Sequence, residues 1–194
     1  MTAVVGSDGR RRCNWAHSAP EYIEYHDNEW GRAVHGDDAM FERLVLEAFQ
    51  SGLSFITILR KRAAFRSAFA GFSIEAVAQF DEADAQRLMA DAGIVRNRAK
   101  ITASVANARA AMAVPEGLSE LLWSFAPTRR RAVPKNDADI PAISPESTAM
   151  AKELKRRGFQ FVGPTTAYAH MQATGIVNDH LATCYVRRLV SEIG

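Results

Sequence analysis

The sequence predicts an almost wholly helical protein, and three observations carry that expectation. Apolar residues recur at helical spacing along most of the chain, glycine and proline sit where those runs stop or start, and strict alternation is confined to FQFV at 159–162. With 194 residues, 47% of them hydrophobic, the chain is long enough to bury a sizeable core and too apolar for disorder.

The first helical run begins at Asp37, where an aspartate cap precedes Phe41, Leu44, Val45 and Ala48, and Gly52 stops it. A second begins at Ser54 and sets Phe55, Ile58, Leu59, Phe65 and Phe69 in one stripe. Shorter helices fit 73–80 and 82–92, the latter capped by Asp81 and ended by Gly93. Residues 98–113 align Ile101, Val105, Ala108 and Met112, and 116–125 align Leu118, Leu121, Leu122 and Phe125. Periodicity then fails, and 126–143, rich in proline and charge, reads as a long surface loop. SPES at 144–147 restarts a helix with serine at the cap and proline in the first turn, and Gly158 ends it. Two last helices fit 165–174 and 179–192. Residues 1–11 read as a flexible tail, and 12–194 as one helical domain.

The net charge of +2 conceals basic clusters at 10–12, 60–66, 96–100, 129–131 and 152–157. Such patches suit phosphate, although on a small protein they are more often solvated faces. Cys13 and Cys184 are the only cysteines, too few for a disulfide framework. The opening MTAVVGSDGRRR has no apolar core of useful length, and no run approaches the roughly 18 apolar residues of a membrane span. These features predict a soluble cytoplasmic protein with reduced thiols free to bind metal, and a monomer is expected.

In NDHLATCYVRRLV at 178–190, a helix would stack His180 and Cys184 on one face, a common way to present two metal ligands. Cys13 and His26 offer two more. Four ligands with no vacancy suit a structural zinc, although spacing alone allows two ordinary buried thiols and two unrelated histidines. Residues 82–113 read as helix, tight turn and helix, with Arg96, Arg98 and Lys100 beside backbone N–H groups able to take a phosphate; any helical hairpin would show the same glycine stop. YIEYHDNEWG at 22–31 is dense in aromatics amid polar residues. Next to a carboxylate such rings can hold a flat cation, whereas singly Trp15, Trp30 and Trp123 read as core. Glu47 lies on the flank of an apolar stripe, where it is either partly buried or a solvated edge residue.

Taken together, RCNWAHSAPEYIEYHDNEWG, LVLEAFQSGLSFITILRKR, DAGIVRNRAKI, LLWSF, KRRGFQFVGPTTAY and GIVNDHLATC resemble the DNA-3-methyladenine glycosylase I family across most of residues 12–186. YHDNEWG with NDHxxxC is the specific part. The resemblance implies a helix-hairpin-helix DNA glycosylase fold and a base-excision repair enzyme. Such an enzyme flips N3-methyladenine out of alkylated double-stranded DNA and hydrolyses its N-glycosidic bond, releasing free 3-methyladenine and leaving an abasic site. It implies one structural Zn2+ held by Cys13, His26, His180 and Cys184, clipping the two ends of the chain together. It places base recognition on Glu47 with Tyr25, the pocket wall on Trp15, Tyr22 and Trp30, and the segment pressing into the duplex on Gln50, Gly52 and Leu53. One departure stands out. The family's GLSW is GLSF here, so Phe55 replaces a tryptophan that stacks on the base and offers less overlap.

N3-methylation makes the base cationic and already a good leaving group, so little acid catalysis is required. No lysine in the hairpin argues for Schiff-base chemistry, and a monofunctional enzyme is expected. Two rival readings are a zinc-stabilised DNA-binding module, which leaves Glu47 and the aromatics idle, and a zinc hydrolase, which fails if all four residues bind, because no open position remains.

Overall fold

The computed structural model describes residues 1–129 and 131–191. The described helices are α1 (Pro20–Asn28), α2 (Asp37–Gln50), α3 (Phe55–Ala68), α4 (Ile74–Ala78), α5 (Glu82–Ala90), α6 (Arg98–Met112), α7 (Leu118–Trp123), α8 (Pro145–Arg156), α9 (Pro164–Ala173) and α10 (Val186–Ser191). A two-residue antiparallel ribbon joins β1 (Val4–Val5) to β2 (Arg11–Arg12). Among the described residues no helix is long and apolar enough to cross a membrane.

Helix α2 is the hub, touching α3, α6, α7 and α9. Its sequence explains this, because Met40, Phe41, Leu44, Val45, Leu46 and Phe49 are all buried and cover more than one face. Phe49, Phe65, Phe69 and Phe72 continue the core as a chain of ring contacts from α2 through α3 to the turn beyond it. Helix α4 lies on α6, and α8 on α9. The caps expected at Asp81 and Ser144 form as capping boxes, and Asn97 adds one by accepting from the Lys100 N–H at 3.1 Å. Asp37 is not a cap, since Gly36 precedes α2 and the Asp37 carboxylate accepts instead from the Ser119 N–H at 2.8 Å.

Elsewhere the structure departs from expectation or adds to it. Residues 179–192 are not one helix: His180 to Cys184 form turns, α10 begins at Val186, and residue 192 lies outside the described residues. The HLATC stretch still converges, because the Cys184 N–H closes a turn on the Leu181 carbonyl at 2.8 Å. The first eleven residues, expected as a tail, fold back through the ribbon. Arg12, only 3% exposed, fastens it with bonds to Asp8 and Asp27. FQFV forms no strand, since Phe161 sits at φ +56° and the Asn107 amide clamps both backbone groups of Gln160. Helix α1 was not foreseen, despite Pro20 and Glu21 in its first turn.

Candidate functional site

Helix α1 places two adjacent side chains in two different sites. Tyr25 faces a cavity of about 480 Å3, and His26 faces a cluster of sulfur and nitrogen atoms. Its end is locked by Glu29, whose carboxylate accepts from Arg62 of α3 at 2.5 and 2.7 Å and from Arg43 of α2 at 3.0 Å. That lock fixes α1 against α2 and α3, the helices that supply the rest of the cavity wall.

Every pocket residue expected from the sequence lines this cavity: Trp15, Tyr22, Tyr25, Trp30, Glu47 and Phe55, joined by Gln50. Trp15 meets Tyr22 and Trp30 edge-on, with centroids 5.6 and 5.1 Å apart. Tyr22 and Phe55, both in the cavity wall, lie within 10° of parallel with centroids 6.5 Å apart. Glu47 is 6% exposed, and its Oε2 has no hydrogen-bond partner among the described residues. Burial pushes its carboxyl up to about 7, with Arg43 one turn earlier pulling the other way. Burial, and then the proximity of Glu47, also hold the Tyr25 phenol in its neutral form far above the usual range.

Sequence reading missed Ser18, Asp137, Ile140, Ala169 and Gln172, which complete the wall. Asp137 and Ile140 come from the stretch read as a plain loop, where Asn136 caps a single helical turn; no periodic signal marks them. Ala169 and Gln172 sit three apart on α9, a spacing visible in the sequence but not tied to the cavity without the α2–α9 contact.

The segment Gln50–Leu53 turns through Gly52 at φ +83° and leaves Leu53 43% exposed beside the cavity. Lys100, expected at a phosphate, is instead 8% exposed and donates to the Phe49 and Ser51 carbonyls at 2.8 and 2.6 Å. It caps the end of α2 and braces this turn. In the helical pair α5–α6, Arg96 is exposed and Arg98 pairs with Glu82 across the turn.

Cys13, His26, His180 and Cys184, all buried, bring their ligand atoms within 4.8 Å of one another. Cys184 Sγ lies 3.4 Å from His26 Nε2 and 3.6 Å from His180 Nδ1, and Cys13 Sγ lies 3.8 Å from His180 Nδ1. A tetrahedral ion with ligands at roughly 2.0–2.3 Å has edges of roughly 3.3–3.8 Å, so the donor set fits a zinc-sized cation. The outward nitrogens are also engaged: His26 Nδ1 with Asp27 at 2.9 Å and His180 Nε2 with the Trp30 carbonyl at 3.0 Å. Gly31 is required here, because a Cβ would stand 2.9 Å from His180 Nε2. The thiol of Cys184 is drawn down by Cys13 and then by the two imidazoles, and the same contact pushes Cys13 up.

A helical fold carrying a carboxylate among aromatic rings is the arrangement of a base-excising glycosylase, and comparison with known proteins agrees. The profile of the methyladenine glycosylase family matches residues 15–188, and the chain belongs to that family. DNA-3-methyladenine glycosylase 1 of Escherichia coli K12 is 43% identical over 177 residues, which is 89% of this chain and 95% of that protein. The crystal structure of a 3-methyladenine DNA glycosylase I superposes with a TM-score of 0.86 at 42% identity, covering 90% of this chain and 98% of its own. A 3-methyladenine DNA glycosylase I from Staphylococcus aureus, solved for its recognition of 3-methyladenine, gives 0.86 at 33% identity, covering 91% and 96%.

Proposed function

We infer that the protein excises N3-methyladenine from alkylated duplex DNA in base excision repair, acting on DNA in the cytoplasm. It hydrolyses the N-glycosidic bond and leaves an abasic site. The observation that carries this reading is Glu47, a buried carboxylate lining an aromatic cavity with one oxygen unpartnered among the described residues. A buried lone carboxylate is costly unless a cation arrives to pair with it. N3-methyladenine is a flat cation. Neutral adenine offers no compensating charge, so the same burial that raises the Glu47 carboxyl rewards only the damaged base.

Tyr22 and Phe55 lie nearly parallel with centroids 6.5 Å apart, so their faces can stack on a flipped ring that enters the cavity. Tyr25 supports Glu47 from α1. The Gln50–Leu53 turn presents apolar Leu53 to the gap the base leaves, an insertion of the kind that stabilises distorted duplexes. The α5–α6 pair is read as the helix-hairpin-helix, with Arg96 at a phosphate and Arg98 available once it leaves Glu82. Lys100 acts one step back, by holding the wedge turn. Residues 12–194 are read as one glycosylase domain.

The chemistry needs little more. Extrusion costs a few kcal/mol, least for a damaged base, and the cationic purine leaves without general-acid help. Among the described residues no lysine lines the cavity, in keeping with simple hydrolysis. We read Cys13, His26, His180 and Cys184 as holding one structural zinc, which would supply cross-linking of the chain ends and no reaction chemistry. Through His26 and Trp30 this site orients the wall beside it.

The test is incubation with N-methylated duplex DNA. Free 3-methyladenine should be released by the native protein but not by Glu47→Gln, with strands intact until alkali treatment. DNA binding without release would favour a binding module instead.

A further inference from the structure

The amino-terminal ribbon, expected as a tail, reaches the four ligands through a chain of charged side chains. His26 turns Nε2 toward Cys184 Sγ at 3.4 Å and Nδ1 toward Asp27 Oδ1 at 2.9 Å. A carboxylate only accepts, so Nδ1 carries the proton and Nε2 keeps the lone pair a metal needs. Asp27 is itself gripped. The Arg12 Nε–H reaches its two oxygens at 2.9 and 3.0 Å, and an Nη2–H reaches Oδ2 at 2.8 Å. Asp8 closes the other edge of the same guanidinium, accepting at 2.9 and 2.6 Å. The Tyr185 ring lies 5.4 Å from it, and at 3% exposure Arg12 has no face left for a DNA phosphate. Gly6 lets the ribbon turn come this close, because a Cβ there would stand 2.9 Å from Asp8 Oδ1 and 3.0 Å from Arg12 Nη1.

We propose that Asp8, Arg12 and Asp27 form a relay that fixes the tautomer and orientation of His26, so that the ribbon sets how tightly the four ligands hold zinc. This deepens the zinc reading and rests on it. An imidazole whose N–H faces a carboxylate is a stronger donor at its other nitrogen. Arg12 holds that carboxylate in one orientation with a two-pronged grip, and Asp8 holds Arg12. The outer nitrogen of His180 engages a neutral group instead, the Trp30 carbonyl at 3.0 Å. His26 is therefore the ligand that the ribbon controls.

The experiment equilibrates the zinc-loaded full chain with graded chelator and reads released zinc with a colorimetric indicator. A cobalt-exchanged sample reports the ligand set by its thiolate-to-metal absorption. Asp27→Asn is expected to weaken zinc binding about 10–100-fold and to shift the cobalt spectrum. Asp8→Asn, at a side chain 45% exposed, should weaken zinc by about three- to fivefold through Arg12. In the Asp27→Asn background the same change should cost nothing further, because the relay is already cut. A Kd within about twofold of native in Asp8→Asn overturns the relay, whether or not Asp27→Asn folds. Losses that simply add in the double variant overturn it too, and either result leaves the zinc site standing. A native chain that holds no zinc and gives no thiolate-to-cobalt absorption removes the site and the relay together.

Discussion

Two buried polar clusters lie side by side, sharing α1 and Trp30, and they differ in one respect. In the Cys13, His26, His180 and Cys184 cluster each imidazole turns one nitrogen inward and engages the other outside. In the aromatic cavity, Glu47 Oε2 is left without a partner among the described residues. The first arrangement turns its four ligand atoms toward one another, as a group able to hold a metal does. The second stores an unmet electrostatic demand, which is how a pocket selects a charged ligand. Changes that fill the demand, or break the group of ligands, should separate the two roles.

The largest effect is expected at Glu47. Glu47→Gln should lower kcat/KM for N3-methyladenine release about 10²–10³-fold, as for loss of one preorganised charge contact. The same variant should be more stable. Because burial lifts the carboxyl from its ordinary 4.5 to about 7, its favourable contribution is present below pH 4.5 and lost as pH rises through 7. Above pH 7 the ionised group costs on the order of 3 kcal/mol, so urea unfolding should show a gain for Glu47→Gln at pH 8 that disappears near pH 4.5. In the native enzyme, kcat/KM should climb with pH toward 7 as the carboxylate forms, a limb missing in the variant.

Cys184→Ser attacks the other cluster. It should lose bound zinc, measured by elemental analysis, and lower Tm by about 6–12 °C, equivalent to roughly 3 kcal/mol for a chain of this size. Activity should fall less than with Glu47→Gln and recover partly at low temperature. A zinc-free variant with unchanged Tm and activity would falsify the clip.

His170 offers a control at a buried polar group that belongs to neither cluster. It is fully buried on α9, both ring nitrogens lack partners among the described residues, and burial presses its pKa down to about 3. The neutral ring favours the fold above pH 6.5, and that stability is lost as pH falls toward 3. His170→Phe, an apolar ring of similar size, should raise stability by about 1–3 kcal/mol and flatten the acid limb of the unfolding curve.

The core and the first ring of the pocket were legible in the sequence for different reasons. Phe41, Leu44 and Val45 announce α2 by periodicity, whereas Tyr25 and Glu47 were placed through resemblance in the quoted motifs. Their burial was only one of two readings. Helix α1 was illegible because its buried residues include His26 and Asp27, polar groups that mask the apolar stripe. HLATC misled for the opposite reason, since its spacing fits a helix while turns and zinc-sized geometry bring the same atoms together. Asp137 and Gln172 depend on contacts between segments distant in sequence, which no local pattern encodes.

Lys100 and Arg96 give the finest distinction, because sequence reading assigned both to phosphate. Replacing Arg96 with alanine should remove about one counterion from DNA binding, reducing the slope of log K against log salt by roughly 0.9. Lys100→Met should leave that slope unchanged, since its ammonium is already spent on the Phe49 and Ser51 carbonyls. Its cost falls on the wedge: the two carbonyls lose their donor, stability drops by about 1–3 kcal/mol, and kcat declines as the Gln50–Leu53 turn loosens. A salt slope that falls equally in both variants would return Lys100 to the DNA interface and show that the turn holds its shape without it.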